Sequence, residues 1–173
     1  MKNIIYILLV LSLTSCENKM LNRLNSKQNF YANLQQTQKI ILSNSKNETK
    51  AMLSVTYLHP KEYLKHKSSN IQKFRGERFI IGTFFADGNS SLSMDLNNSY
   101  SLTLGRKRVK NIKELSLDDS LLIDIPMLNG WSRYYLVQFD YKARKRFNMV
   151  FSHKEYGIKR VKFYKVAKYL FNG

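Results

Sequence analysis

Hydrophobic and polar positions alternate along several short segments of the chain, which is the period of a β-strand. Alternating apolar side chains stand at Ala51, Leu53, Val55 and Tyr57. The turn-forming residues 44–47 separate them from the apolar run 40–42, so the two segments predict a hairpin. Residues 79–85 are apolar on both faces and precede the turn dipeptide Asp87-Gly88, which indicates a central strand.

The second half of the chain continues this alternation between clusters of turn residues. Residues 92–96 and 100–104 alternate on either side of Asn97-Asn98 and predict a second hairpin. Further strands are predicted at residues 108–115, 121–125, 131–141, 147–153 and 158–166. We expect Trp131 to be a buried aromatic side chain on a core strand. Many short strands with few helical patterns predict an all-β fold, an antiparallel immunoglobulin-like β-sandwich, with a small β-barrel as the alternative.

The N-terminal segment has a different pattern. Lys2 precedes an apolar run at residues 4–13, and small polar residues follow, which is the layout of a cleaved secretory signal. A helix of ten residues rises only about 15 Å, roughly half the hydrocarbon thickness of a bilayer. The run is therefore predicted to direct export and not to span a membrane.

A short motif ends this segment. Leu13-Thr14-Ser15-Cys16 resembles the lipobox of bacterial lipoproteins, in which small residues flank the cleavage site and the cysteine sulfur receives a diacylglyceryl group. The resemblance implies a small single-domain lipoprotein of the cell envelope, held at the periplasmic or outer side by fatty acyl chains such as palmitate on Cys16. Whether it sits on the inner or the outer membrane stays open.

The remaining chain is predicted to form a tether and one domain. Residues 1–15 are the predicted signal peptide, residues 16–38 are a polar, partly helical tether that begins at the lipid-anchored Cys16, and residues 39–173 form the β-sandwich domain. Cys16 is the single cysteine, so lipidation leaves no thiol for disulfides or for a cysteine-based metal site.

The charge of the chain is strongly positive and unevenly placed. The formal net charge is +17, and the residues considered as contacts for an anionic ligand or a membrane are Arg106, Lys107, Arg108, Lys142, Arg144, Lys145 and Arg146. A third basic group spreads over Lys159, Arg160, Lys162, Lys165 and Lys168. A basic face on an anchored domain suits anionic lipid or an acidic glycan. The alternative is that the charges only solvate a β-surface and discourage edge pairing. Export argues against nucleic acid as the polyanion.

No motif in the sequence predicts a catalytic, cofactor or metal site. His59, His66 and His153 are expected to face solvent, and Asp118-Asp119 to make turn or capping hydrogen bonds. Asp124 is expected to point away from the face that Ile123 and Ile125 bury. The prediction is a non-enzymatic binding or scaffolding module at a membrane surface, with no particular protein partner specified. The rival is an envelope enzyme or small-ligand carrier, with a site that uses Tyr, His59 or His153.

Overall fold

The structure is a computed structural model that describes residues 30, 33–58, 76–88, 91–92 and 99–165. These residues contain nine strands and one 3₁₀ turn, Ser120–Leu122. The strands are β1 (Thr37–Ser43), β2 (Thr49–Leu58), β3 (Gly76–Phe85), β4 (Tyr100–Leu104), β5 (Lys107–Arg108), β6 (Asn111–Leu115), β7 (Arg133–Asp140), β8 (Arg146–His153) and β9 (Gly157–Tyr164). The predicted all-β class is confirmed.

The strands form two antiparallel sheets that pack face to face as a β-sandwich and do not close into a barrel. The first sheet has the order β1-β2-β3-β7-β6 and the second has the order β5-β4-β8-β9. Without β1, this arrangement equals the A-B-E-D and C′-C-F-G order of immunoglobulin domains. The strand order therefore agrees with the predicted immunoglobulin-like sandwich, with one additional N-terminal strand at the edge of the first sheet.

The main core lies between the sheets and is rich in aromatic rings. Tyr57 and Phe79 from the first sheet meet Phe147 and Phe163 from the second, with ring centroids 5.2–6.4 Å apart. Tilted and edge-on contacts of this kind stabilise a core beyond the burial of their area. Of these four, Tyr57 is one of the alternating apolar positions identified from the sequence, and the structure places it in the core.

A second apolar cluster covers the outer face of the first sheet. Ile80, Tyr134 and Leu136 face outward from the central strands β3 and β7 and are buried beneath Leu122 and Ile125 of the β6–β7 connection. Phe79 and Ile81 of β3 face the main core on the other side. Both faces of β3 are therefore covered, which explains why both are apolar. The predicted central strand is confirmed.

The predicted strand at 108–115 is two strands that belong to different sheets. β5 pairs with β4 in the second sheet, whereas β6 pairs with β7 in the first. Val109 and Ile112 both pack against the main core, so the hydrophobic pattern runs through the crossover without a break. The hydrophobic pattern of residues 108–115 therefore gave no indication that the chain changes from one sheet to the other.

The predicted strand at 121–125 is wrong, because this segment is a 3₁₀ turn followed by a tight bend. Asp119 caps the turn, its carboxylate accepting from the Leu121 backbone N–H at 3.0 Å, as expected for the Asp118-Asp119 pair. Leu122 and Ile125 are buried at a spacing of three, while Ile123 is 70% exposed. Asp124, expected to point outward, is buried.

The expected burial of Trp131 is also wrong. Trp131 precedes β7 and is 63% exposed. Its ring packs edge-on against Phe84 at 5.7 Å between centroids. The indole therefore lies over the edge of the covered face and not within the core.

The predicted boundaries at the N-terminus are only partly within the described residues. The signal peptide and Cys16 lie outside them, as do residues 93–98 of the predicted second hairpin. Residues 33–35 are helical, and β1 begins at Thr37, two residues before the predicted start of the domain at 39. Asn33 already packs against the domain, since its side-chain amide donates to the Asp124 carbonyl at 3.0 Å.

Candidate anion-binding site

Five of the basic residues singled out from the sequence converge at one end of the sandwich around a surface groove of about 780 Å³. The groove is lined by Gly105, Arg106, Tyr141, Lys142, Ala143, Arg144, Arg146, Phe147, Asn148 and Lys162. None of these lining residues is acidic. Five positive side chains thus share one concave surface.

Four of the seven predicted contact residues line this groove, and three do not. Arg106, Lys142, Arg144 and Arg146 line it, while Lys107, Arg108 and Lys145 lie outside the lining. Lys162, which the sequence placed only in the diffuse third group, is a lining residue. Pairing the two predicted strands as the β8–β9 hairpin would have indicated Lys162, because it lies directly opposite the groove residue Asn148.

Strand register explains why distant segments meet here. β4 ends where β8 begins, with Leu104 opposite Met149. β9 ends beside the same strand, with Tyr164 opposite Arg146. The β4–β5 turn and the β7–β8 connection therefore project from the same end of the sandwich. Each carries one of the two compact basic clusters.

Gly105 shapes the turn that presents Arg106. Its φ is +62°, a conformation that favours glycine, and its N–H donates to the Asn148 carbonyl at 2.7 Å. A Cβ atom at this position would lie 3.6 Å from Lys142 Nζ. The lysine ammonium group therefore reaches across the glycine surface at the side of the groove.

The β7–β8 connection is held in place by the buried carboxylate of Glu77. Glu77, 1% exposed, accepts from the Tyr57 hydroxyl and from the Lys142 backbone N–H, each at 2.8 Å. Its Oε1 also forms an ion pair with Lys165 Nζ at 2.6 Å. The same ammonium donates to the Lys142 carbonyl and lies 4.0 Å from the Tyr141 ring centroid.

These contacts satisfy the carboxylate inside the protein and fix the backbone of the connection at Lys142. A buried charge needs such partners, because an unpaired carboxylate in a low-dielectric interior is strongly unfavourable. Sequence reasoning missed Glu77 altogether, since its partners lie 20 and 65 residues away along the chain.

Arg146 has an aromatic partner at the mouth of the groove. Its guanidinium carbon lies 5.7 Å from the centroid of the Tyr164 ring, the residue opposite it in β9. An arginine that lies over a ring keeps its planar edge of N–H donors available for an oxyanion. Chemically, the groove is suited to binding negatively charged oxygen groups.

The opposite end of the sandwich carries His153 in an aromatic stack. Its ring lies 4.1 Å from Tyr156 and 4.5 Å from Tyr100 between centroids, and its Nδ1 accepts from the Glu155 backbone N–H at 3.1 Å. His153 is thus half-buried, whereas it was expected to face solvent. Burial, with the nearby negative charge of Asp87, raises the pKa of Tyr100 to about 12, so this phenol stays neutral. His59 and His66 lie outside the described residues.

Other kinds of site are absent from the described ranges. No three or more His, Cys, Asp or Glu side chains come together there in a way that could hold a metal ion. Nor does this part of the chain contain a helix with the length and apolar character needed to cross a bilayer. Comparisons of the chain with protein-family models, with curated proteins and with solved structures found no match.

Proposed function

We propose that the chain is a bacterial envelope lipoprotein, anchored through Cys16 after removal of residues 1–15, whose basic β-sandwich binds or scaffolds at an anionic membrane surface. The support for the anchor is the lipobox resemblance of Leu13-Thr14-Ser15-Cys16. The support for the binding surface is the basic groove.

The observation that carries the proposal is the convergence of five cations on one concave surface with no acidic lining residue. β1 does not begin at that end of the sandwich, since Thr37 lies opposite Thr56, and Thr56 lies opposite Ile80, halfway along β3. Gly76, the first residue of β3, lies opposite Asp140, from which the β7–β8 connection departs. In the proposed orientation, this basic end of the sandwich faces the membrane that holds the anchor at Cys16.

Electrostatics favour the same orientation. Each Lys or Arg close to an anionic leaflet contributes about 1 kcal/mol, and this attraction decays within a Debye length of about 10 Å at 0.1 M salt. Five lining cations that face an anionic leaflet therefore add appreciably to membrane attachment. Anionic lipid is the favoured partner because the anchor holds the groove near it, and an acidic glycan is the alternative polyanion of the envelope.

The anchor is tested by fractionating cells that express the full chain or its Cys16→Ser variant. We expect the wild-type chain in the membrane fraction with an acyl-modified N-terminal cysteine by mass spectrometry, and the variant with no acyl modification. A wild-type chain without acyl groups, or one found with cytosolic proteins, would overturn the proposal.

The surface is tested by flotation of the purified full chain carrying Cys16→Ser with vesicles. We expect binding to phosphatidylglycerol-containing vesicles that weakens steeply between 50 and 500 mM salt, and much weaker binding to phosphatidylcholine vesicles. Equal binding to both vesicle types would argue against an electrostatic membrane role.

A carrier of small anions is the second candidate, and the size of the groove favours it. About 780 Å³ falls within the range of small-ligand sites. Such sites are mostly apolar, whereas this one is lined by five cations. In a carrier, the groove binds soluble anions as tightly as it binds lipid headgroups. Comparing the two affinities therefore separates a carrier from a membrane-binding module.

A further inference from the structure

The basic groove has features of a constructed site, beyond an excess of surface charge. Its five cations come from the β4–β5 turn, the β7–β8 connection, β8 and β9. Like charges repel, and a composition-driven surplus is expected to spread over the surface. Here the fold instead concentrates the charges around one concavity.

The fold also fixes the backbone from which the cations of the β7–β8 connection extend. The backbone of Lys142 is bound to the buried Glu77 carboxylate through its N–H and to Lys165 through its carbonyl. The cationic connection therefore starts from a point that is tied to the interior of the domain. Sites that bind small ions depend on such preorganisation, because it lowers the entropy lost on binding.

Arginine predominates among the lining cations, and its chemistry narrows the ligand. Arg106, Arg144 and Arg146 line the groove together. The guanidinium group offers a planar fork of N–H donors that matches two oxygens of a phosphate or carboxylate, whereas lysine acts as a point charge. Three such forks suit an anion with several oxygens on one centre.

The groove also has an uncharged wall. Tyr141 contributes aromatic surface, while Gly105 and Ala143 leave space between the cations. This combination provides room for a short polar or carbon chain attached to the anionic group. A phosphate ester fits the lining better than a bare ion does.

We infer that the groove is a specific binding site for a phosphate ester of headgroup size, held by Arg106, Arg144 and Arg146 with Lys142 and Lys162. The inference rests on the proposed function, which it deepens by naming the ligand chemistry. The phosphate comes either from the headgroup of an anionic lipid or from a soluble phosphate ester, and the two sources present the same group to the arginines.

Two variants with equal charge change test for a defined site. In the full chain carrying Cys16→Ser, the groove variant is R106Q/R144Q/R146Q and the control is K107Q/R108Q/K145Q. Each removes three positive charges. The arginines of the groove variant are all exposed, so thermal unfolding should show both variants folded. If the groove variant fails to fold, the neighbouring single variants R144Q and K145Q give the same comparison.

The first readout is calorimetric titration with glycerol 3-phosphate at constant ionic strength. We expect the groove variant to bind at least about tenfold more weakly than the parent, and the control less than about twofold more weakly. Equal weakening of both variants, or no binding of the probe by the parent chain, would overturn the phosphate site.

The second readout separates the two sources and is vesicle flotation of the same proteins. If the groove variant also loses binding to phosphatidylglycerol vesicles while the control keeps it, the lipid headgroup is the source. If flotation is unchanged while glycerol 3-phosphate binding is lost, the site stands with a soluble ligand and the lipid headgroup is excluded as its source. If flotation weakens equally in both variants, membrane binding rests on diffuse charge, and the lipid headgroup is excluded as the ligand of the groove.

Discussion

The two outer faces of the sandwich meet their surroundings differently. The outer face of the first sheet carries Ile80, Tyr134 and Leu136, and the β6–β7 connection covers it with a second apolar cluster. The outer face of the second sheet carries Arg160 and Lys162 among its exposed positions, and Ile158 and Tyr164 on this face also stay exposed. Within the described residues, that sheet has no comparable apolar cover.

The contrast follows from the residues on the outward positions of each sheet. An apolar face must be removed from water, and burying a large side chain contributes roughly 1.5–3 kcal/mol. A face of Lys, Arg and short polar residues remains hydrated without a cover. One face therefore contributes to stability, while the other stays available for a charged ligand. The predictions below test this separation of stability from binding.

Truncation of the cover should have the largest effect. Leu122, 1% exposed, packs in the second cluster, and Leu122→Ala should lower the free energy of unfolding by about 3 kcal/mol because it leaves a cavity. Its neighbour Ile123 is 70% exposed, so Ile123→Ala should change stability by less than about 0.5 kcal/mol. Urea denaturation measures both. Equal effects would mean that the connection does not cover the sheet as described.

The second prediction concerns Gly82, which lies against the Tyr134 ring beneath the same cover. A Cβ at Gly82 would lie 2.7 Å from Tyr134 Cε1 and 2.6 Å from Ser54 Oγ. The serine can rotate, but the buried ring has little space, so Gly82→Ala should destabilise by about 2 kcal/mol. At Gly130 an added Cβ meets nothing within 4 Å. Gly130→Ala is therefore the matched control, and a similar loss there would contradict the clash.

Much of the fold was predictable because alternation reports burial directly. The pattern of β2 and the two-faced apolar character of β3 identified the core and the central strand. It could not distinguish a strand from a 3₁₀ turn at residues 121–125, because Leu121, Ile123 and Ile125 have the alternation of a strand although the structure buries Leu122 and Ile125. Nor could it show that β5 and β6 belong to different sheets.

The candidate site was predictable only in part, for a related reason. The basic clusters are local in sequence, so Arg106, Arg144 and Arg146 were identified together with Lys145, which lies outside the groove. Which cation faces the groove depends on strand register. Glu77 has even less local signal, since its burial is set by Tyr57, Lys142 and Lys165 from three other segments.

Glu77 also provides a test in which charge and positioning predict opposite results. Glu77→Gln makes the protein more positive, so electrostatics alone would strengthen binding of glycerol 3-phosphate. If Glu77 positions the β7–β8 connection, binding should instead weaken, by about threefold. Stability should fall by about 1.5 kcal/mol, because Lys165 loses its ion pair while the amide keeps hydrogen-bonding capacity.

The exposed Glu114 provides the control for this variant. Glu114→Gln makes the same change in net charge on β6, away from the groove lining. It should leave stability nearly unchanged and should not weaken binding. Tighter binding in both variants would mean that only net charge matters and that Glu77 has no positioning role.

The smallest expected effect concerns the Tyr134 hydroxyl, which holds the β6–β7 connection by a hydrogen bond. The Tyr134 hydroxyl accepts from the Asn129 backbone N–H at 2.8 Å, which attaches the end of the β6–β7 connection to β7. Tyr134→Phe keeps the ring over Gly82 but removes this acceptor, so the free energy of unfolding should fall by about 1 kcal/mol.

Hydrogen exchange should accelerate at the Asn129 amide and not at the Lys142 amide, which Glu77 binds at the opposite, basic end. Tyr141→Phe, at a ring that is 63% exposed, should change neither quantity. If exchange accelerates at both amides, the covered face and the groove open as one unit, and stability and binding are not separable in this fold.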